Sequence, residues 1–204
     1  MKKIQLQTPL SKKEIKKLSV GDTVFLTGKL FTARDETHKK MIELKKKGKK
    51  TPFNPEDMAL YHAGPVVRKE KNKWLIVSAG PTTSARMEIF ESEFLSLFGV
   101  KMIIGKGGMG KETLKALRKT GAVYSHFTGG AGALAAKAIK KVENVYFLDE
   151  LGIPEAAWIL EVEKFGPLVV TMDANGNSFY EKNNTKCTTE KKKNSHGCTR
   201  INTD

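Results

Sequence analysis

"MIIGKGGMGKETLKAL", residues 102–117, decides the architecture. An apolar run enters a glycine-rich turn, and the chain leaves it on the apolar spacing of a helix. A strand that turns through glycines into a helix is the building unit of an α/β domain. Residues 105–112 read G-K-G-G-M-G-K-E, one residue short of the phosphate-binding pattern G-x-x-x-x-G-K-[ST]. Glycines let backbone N–H groups face an anion, and a helix start adds a favourable dipole. "VYFLDE" at 145–150 is an apolar run ending in acids, like the Mg²⁺-supporting strand of nucleotide hydrolases. Against that class, Glu112 stands where a Mg²⁺-binding hydroxyl belongs, and its carboxylate repels a polyphosphate. The turn also comes midway along the chain, leaving little sequence for a P-loop core. It reads as an anion cradle or as a tight strand–helix turn.

Working outward, strands and helices alternate in the middle of the chain, and strands cluster at both ends. Residues 3–7 read as a strand. "SKKEIKKL" carries Ser11 and Glu14 at capping-box spacing and predicts a short helix. "DTVFLTGKLFTAR" predicts a strand interrupted at Gly28. "DETHKKMIELKKKGKK" predicts a helix stopped near Gly48. "ALYHAGPVVRK" and "KWLIVSAG" read as strands joined by the hairpin-like "KEKN". Residues 83–98 carry a helix period. Strands at 101–104, 122–127 and 144–148 frame helices at 111–119 and 131–141. "AWILEVEKF" and "PLVVTMD" are two further strands, and "ANGN" is a turn. The pattern predicts a single α/β domain over residues 1–180 with a mixed sheet. Residues 181–204 contain almost no apolar residues and predict a polar, disordered tail.

Composition narrows the function classes. The chain has 204 residues, 39% hydrophobic and 28% charged, which suits a globular protein. No apolar run approaches the ~20 residues of a membrane span, and the N-terminus has no apolar signal core. The two cysteines, Cys187 and Cys198, lie in the polar tail, which points to a reducing cytoplasm and excludes a disulfide framework. Net charge is +14, and residues 1–50 hold 15 Lys and Arg against 5 Asp and Glu. Such a surplus suits nucleic acid, an acidic partner or small anions. Lys outnumbers Arg 31 to 5, which weakens the nucleic-acid reading, since base readers rely on Arg forks.

Three strand ends carry candidate anion-binding groups. Arg34 follows the second strand as a carboxylate fork, with Asp35 as a candidate helix cap. Thr82, Thr83 and Ser84 open the helix after "AGP", and Arg86 shares their face of the first turn. Lys106 follows the central strand. Ligands of α/β sheets bind at strand ends, and these groups together describe a receptor for a small dianion. His38, His62 and His126 are scattered singly, none at metal-ligand spacing, and read as structural residues. No metal site is expected in the chain itself; a site formed by Cys187, His196 and Cys198 is the minority reading.

In order, "TARDETHKK", "HAGPVVRK", "GPTTSARME", "GKGGMG", "GGAGALAA", "ELGIPEA" and "KFGPLVV" resemble the β subunit of the two-subunit iron–sulfur hydro-lyases. These are class I fumarate hydratase and L(+)-tartrate dehydratase. The resemblance covers about residues 3–180. It implies a single swivelling β/β/α-type domain and a cytoplasmic enzyme of the tricarboxylic acid cycle that hydrates fumarate to (S)-malate, with L(+)-tartrate dehydratase as the alternative. It implies an α subunit that carries a [4Fe–4S] cluster, in an α2β2 assembly, with no cluster ligand from this chain. There the cluster iron acts as a Lewis acid on the substrate. By motif match, Arg34, Thr82, Thr83, Arg86 and Lys106 contact the dicarboxylate, and Thr82 and Lys106 serve catalysis, Thr82 as the proton-abstracting group. Lys106-Gly107-Gly108-Met109 matches the two-subunit branch, which includes both enzymes. A P-loop nucleotide hydrolase and a basic nucleic-acid-binding protein stand as the rival classes.

Overall fold

Alternation along the strands sorts their residues between two cores. In the computed structural model, which describes residues 1–71 and 73–180, Phe31, Leu60, Ile103, Tyr124 and Ile159 belong to one buried cluster. Their strand neighbours Leu30, Tyr61, Met102, Ile104, Val123, Trp158 and Leu160 belong to the other. This is the period of two expected of strands covered on both faces.

The strands are β1 (Lys3–Gln7), β2 (Thr23–Thr32), β3 (Ala59–Tyr61), β4 (Val66–Glu70), β5 (Lys73–Ser78), β6 (Met102–Gly105), β7 (Val123–His126), β8 (Ile139–Tyr146) and β9 (Ala157–Met172). The helices are α1 (Lys12–Ile15), α2 (Asp35–Lys46), α3 (Glu88–Phe98), α4 (Lys111–Thr120), α5 (Gly132–Ala138) and α6 (Leu148–Leu151). Seven strands form one sheet in the order β1-β2-β3-β6-β7-β9-β8, and β2 also pairs with β9. That extra pairing closes β2, β3, β6, β7 and β9 into a ring. β1, β2, β3, β6 and β7 run parallel, and β9 runs antiparallel to β2, β7 and β8. The sheet is mixed, as the sequence predicts. One core fills the ring, and the other lies between its outer face and α2, α3 and α4.

Local chemistry explains the elements. Ser11 Oγ accepts the Glu14 N–H at 3.2 Å, which caps α1, and donates to the Glu14 carboxylate. α3 buries Glu91, Phe94, Leu95 and Phe98, an i, i+3, i+4, i+7 stripe, and ends at Gly99 in the left-handed conformation. The ladder between β2 and β9 shifts register at Gly28, where the sequence marks an interruption.

Several boundaries differ from the sequence reading. The strand predicted at 144–148 ends at Tyr146 and Leu148 opens α6, and the helix predicted at 83–98 begins as the 3₁₀ turn Ser84–Met87. "ALYHAGPVVRK" is two strands: β3 sits in the ring, whereas β4 pairs only with β5 in a separate hairpin. The helix predicted to 141 ends at Ala138, and Ile139 opens β8, because pairing with β9 claims it. "AWILEVEKF" and "PLVVTMD" form one strand of 16 residues, β9, that runs through Gly166 and Pro167. Residues 181–204, predicted as a tail, lie outside the described residues. No helix among the described residues is long and apolar enough to cross a membrane.

Candidate active site

The carboxyl ends of β2, β3 and β6 lie side by side because these strands pair in parallel register. The chain leaving them carries Arg34, His62 and Lys106 respectively. Residues 79–87 then cross these ends. Ala63 bridges to Pro81 and Thr83 to Lys106. Thr82 N–H donates to the His62 carbonyl at 2.7 Å, and Ser84 N–H to the Lys106 carbonyl at 3.0 Å. Main-chain bonds therefore hold Thr82 and Thr83 against the ends of β3 and β6. Thr82 and Lys106 are half-buried and Thr83 is exposed. The Lys106 stem runs beside Gly129, where a Cβ would stand 3.2 Å from its Cδ.

Both arginines approach the same edge. Arg34 crosses Gly64, where a Cβ would come within 2.9 Å of Nη1, and its Nε lies 3.1 Å from Glu155 Oε1. Arg86 donates from Nη2 to Asp35 Oδ2 at 2.6 Å, tying the 3₁₀ turn Ser84–Met87 to the start of α2. A guanidinium has five donors, and one carboxylate uses at most two, so each fork keeps capacity for another carboxylate. Asp35, expected as a cap, is the first helical residue; Arg34 holds the cap position. Thr83 likewise caps with no side-chain bond, so its hydroxyl is spare. Glu155 was not foreseen. It also accepts the Glu36 N–H at 3.0 Å and joins the "ELGIPEA" segment to α2.

Beneath this edge lies a buried polar junction centred on Ser84. Its Oγ accepts the Lys106 N–H at 3.2 Å and lies 2.9 Å from His62 Nδ1 and 3.0 Å from the Tyr124 hydroxyl. Burial pushes the Tyr124 pKa up, so the phenol keeps its proton. His62 also faces Glu91, with Nε2 3.0 Å from Oε2, and His38 Nε2 faces the same oxygen at 3.6 Å. All three side chains are fully buried. Burial pushes the His62 pKa down. Burial alone would raise that of Glu91, but His62 and His38 outweigh it and hold the carboxyl at about 2. A carboxylate kept charged here needs positive charge beside it, while burial opposes placing that charge on His62.

Sequence reasoning treated the histidines singly and missed this cluster. One signal was present: Glu91 stands on the apolar stripe of α3 with Phe94, Leu95 and Phe98, where a charge without partners is costly. His38 likewise shares the buried face of α2 with Met41 and Ile42.

The glycine-rich turn does cradle an anion, and the anion is the chain's own. Glu88 accepts the Gly110 N–H at 2.7 Å, the Thr113 N–H at 3.1 Å and the Thr113 hydroxyl at 2.7 Å. The carboxylate occupies the start of α4 where a P-loop would hold phosphate. Glu112 points to solvent and pairs with Lys115. Glu88→Ala should therefore destabilise the chain by about 1–2 kcal/mol, lowering the melting temperature by about 2–8 °C. A thermal melt showing no change would dismiss Glu88 as the cap.

Comparison with known proteins settles the family. The family model described as "Fumarase C-terminus" matches residues 1–183. The chain belongs to the fumarase C-terminus family. It is 55% identical over 177 residues to a Methanocaldococcus jannaschii protein provisionally named L(+)-tartrate dehydratase subunit beta, covering 87% of this chain and 91% of that one. It is 45% identical over 183 residues to the L(+)-tartrate dehydratase subunit beta of Escherichia coli strain K12, covering 90% and 89%. It is 42% identical over 179 residues to a Geobacillus stearothermophilus protein provisionally named class I fumarate hydratase, covering 87% of this chain and 34% of that longer one. The family resemblance drawn from the motifs thus holds. The described residues of this fumarase C-terminus chain contain no cysteine, so they offer no thiolate to an iron–sulfur cluster.

Proposed function

We propose that this chain is the β subunit of a two-subunit hydro-lyase that hydrates fumarate reversibly to (S)-malate. What supports the reading is that the chain segments carrying Arg34, Thr82, Thr83, Arg86 and Lys106 run along one edge of the ring. Adding water to fumarate passes through a carbanion-like state in which one carboxylate bears extra charge. Arg34 and Arg86 bind and orient the two carboxylates. Lys106, a point charge on a fixed strand end, favours the state in which that charge has grown. Thr82, held by its main-chain bond to His62, moves the proton at carbon, and Thr83 hydrogen-bonds a substrate carboxylate. A neutral Thr is a weak base, so neighbouring charge from Lys106 or from an acidic residue of the partner must tune it.

In this proposal the [4Fe–4S] cluster belongs to an α subunit in a cytoplasmic α2β2 assembly. A second reading, L(+)-tartrate dehydratase, is favoured by the names of the 55% and 45% identical relatives. Co-expression with an α subunit and assays on fumarate and on L(+)-tartrate test both. The isolated chain should be inactive, and the assembled enzyme should turn over fumarate faster than tartrate. The opposite preference would assign the second reading. Full activity of the isolated chain, or none on either substrate by an assembled enzyme, would overturn the proposal.

A further inference from the structure

We propose that His38, His62 and Glu91 hold a divalent transition-metal ion of the zinc class in the interior of the chain. The inference stands on hydrogen-bond accounting and is independent of the reading of the active site. His38 Nδ1 lies 2.7 Å from the Arg34 carbonyl. A carbonyl only accepts, so Nδ1 carries the proton. His62 Nδ1 meets a hydroxyl instead, Ser84 Oγ at 2.9 Å. The Tyr124 hydroxyl lies 3.0 Å from Ser84 Oγ and 3.0 Å from the Gly107 carbonyl, which also accepts from the Tyr180 hydroxyl at 2.6 Å. When Tyr124 donates to Gly107 and Ser84 donates to Tyr124, the Ser84 oxygen accepts from His62 Nδ1. In that arrangement both neutral imidazoles turn an Nε2 lone pair inward.

Those lone pairs meet the Glu91 carboxylate, with one donor atom from each residue inside a 4.8 Å cluster. His38 Nε2, His62 Nε2, Glu91 Oε1 and Glu91 Oε2 are all buried and lack a hydrogen-bond partner, although one N···O distance is 3.0 Å. The atoms are close but not aligned as donor and acceptor. One ligand atom from each of two histidines and a glutamate is a set that zinc takes, with its fourth position left to another oxygen. The imidazole–carboxylate mixture suits that borderline ion. The outer partners match as well: metal-bound His characteristically donates its other N–H to a carbonyl or similar acceptor, here Arg34 O and Ser84 Oγ. Such a site pins the starts of α2 and α3 to the end of β3, so it braces Arg34 and Lys106 from beneath without touching substrate.

The test is metal content of the full, untagged chain after loading with Zn²⁺ and gel filtration. About one equivalent should remain in the wild type and less than about a tenth in Glu91→Gln, which preserves side-chain volume. Cys187, His196 and Cys198 are unchanged in that variant, so metal retained by it would assign the ion to them and overturn the proposal. Ser84→Ala, which removes an outer partner, should weaken affinity by about 10–100-fold. Should Glu91→Gln fail to fold, the wild type decides alone. Co²⁺ titrated into metal-stripped chain should give the intense visible bands of a four-coordinate nitrogen–oxygen site, at one equivalent. Absence of both stoichiometric zinc and these bands would leave the cluster as a proton-bridged imidazolium–carboxylate group and end the metal assignment.

Discussion

Lys106→Ala, in the β subunit of an assembled α–β enzyme, is expected to lower kcat/KM on the dicarboxylate by about 10²–10³-fold, with the melting temperature unchanged. The argument separates side chain from backbone. Everything that shapes the strand end uses the Lys106 main chain: its N–H bonds Ser84 Oγ, its carbonyl takes the Ser84 N–H, and it bridges to Thr83. Alanine keeps all three. The side chain itself is half-buried, runs past Gly129, and has no acidic partner among the described ion pairs. Its loss removes charge from the site and little from the core. Because the charge acts on a state richer in negative charge than the substrate, kcat should fall more than KM rises. Steady-state kinetics beside a thermal melt check this, and an unchanged kcat/KM would remove Lys106 from the machinery.

Gly105→Ala should act in the reverse sense, on the fold before the chemistry. Gly105 is buried at the end of β6, and a Cβ there would overlap Ser84 Oγ and stand 3.1 Å from the Tyr124 hydroxyl. Ser84 cannot step aside, because Lys106 N–H, His62 and Tyr124 all engage its oxygen. Overpacking against a bonded junction should cost about 3 kcal/mol, or about 6–12 °C in melting temperature. Activity should fall too, since the displaced Ser84 carries Thr82 and Thr83 with it. A melt within experimental error of the wild type would show that the junction yields.

The same residue shows how far the sequence could be read. "MIIGKGGMGKE" announces strand, turn and helix, and that order is found. It does not announce why Gly105 is glycine, because the reason is Ser84, which reaches it only through the fold. Glu88 is similar: it looks like an ordinary helix acid, yet it caps a helix 22 residues onward. Ser11 and Glu14 lie three residues apart, so the Ser11 cap was legible. Arg34 and Lys106 were legible as strand-end residues and share an edge because β2, β3 and β6 pair in parallel. Thr82, Thr83 and Arg86 instead follow β5, outside the ring, and reach that edge through the main-chain bonds of residues 79–87. The cluster of His38, His62 and Glu91 was not legible, since its members come from three separated elements. "AKAIKKV" suits either a helix or a strand by local pattern, and only β9 decides where α5 yields to β8.

The pairing of β2 with β9 has a consequence for biogenesis. β2 is made well before β9, and they face each other along most of β2. During synthesis, the ring stays open until β9 has been made and can reach its place. Until then β2 exposes an unpaired edge and the apolar face destined for the interior. The chain must hold that half-built barrel through the making of everything between. Its maturation therefore depends on a late, distant closure rather than on early local contacts.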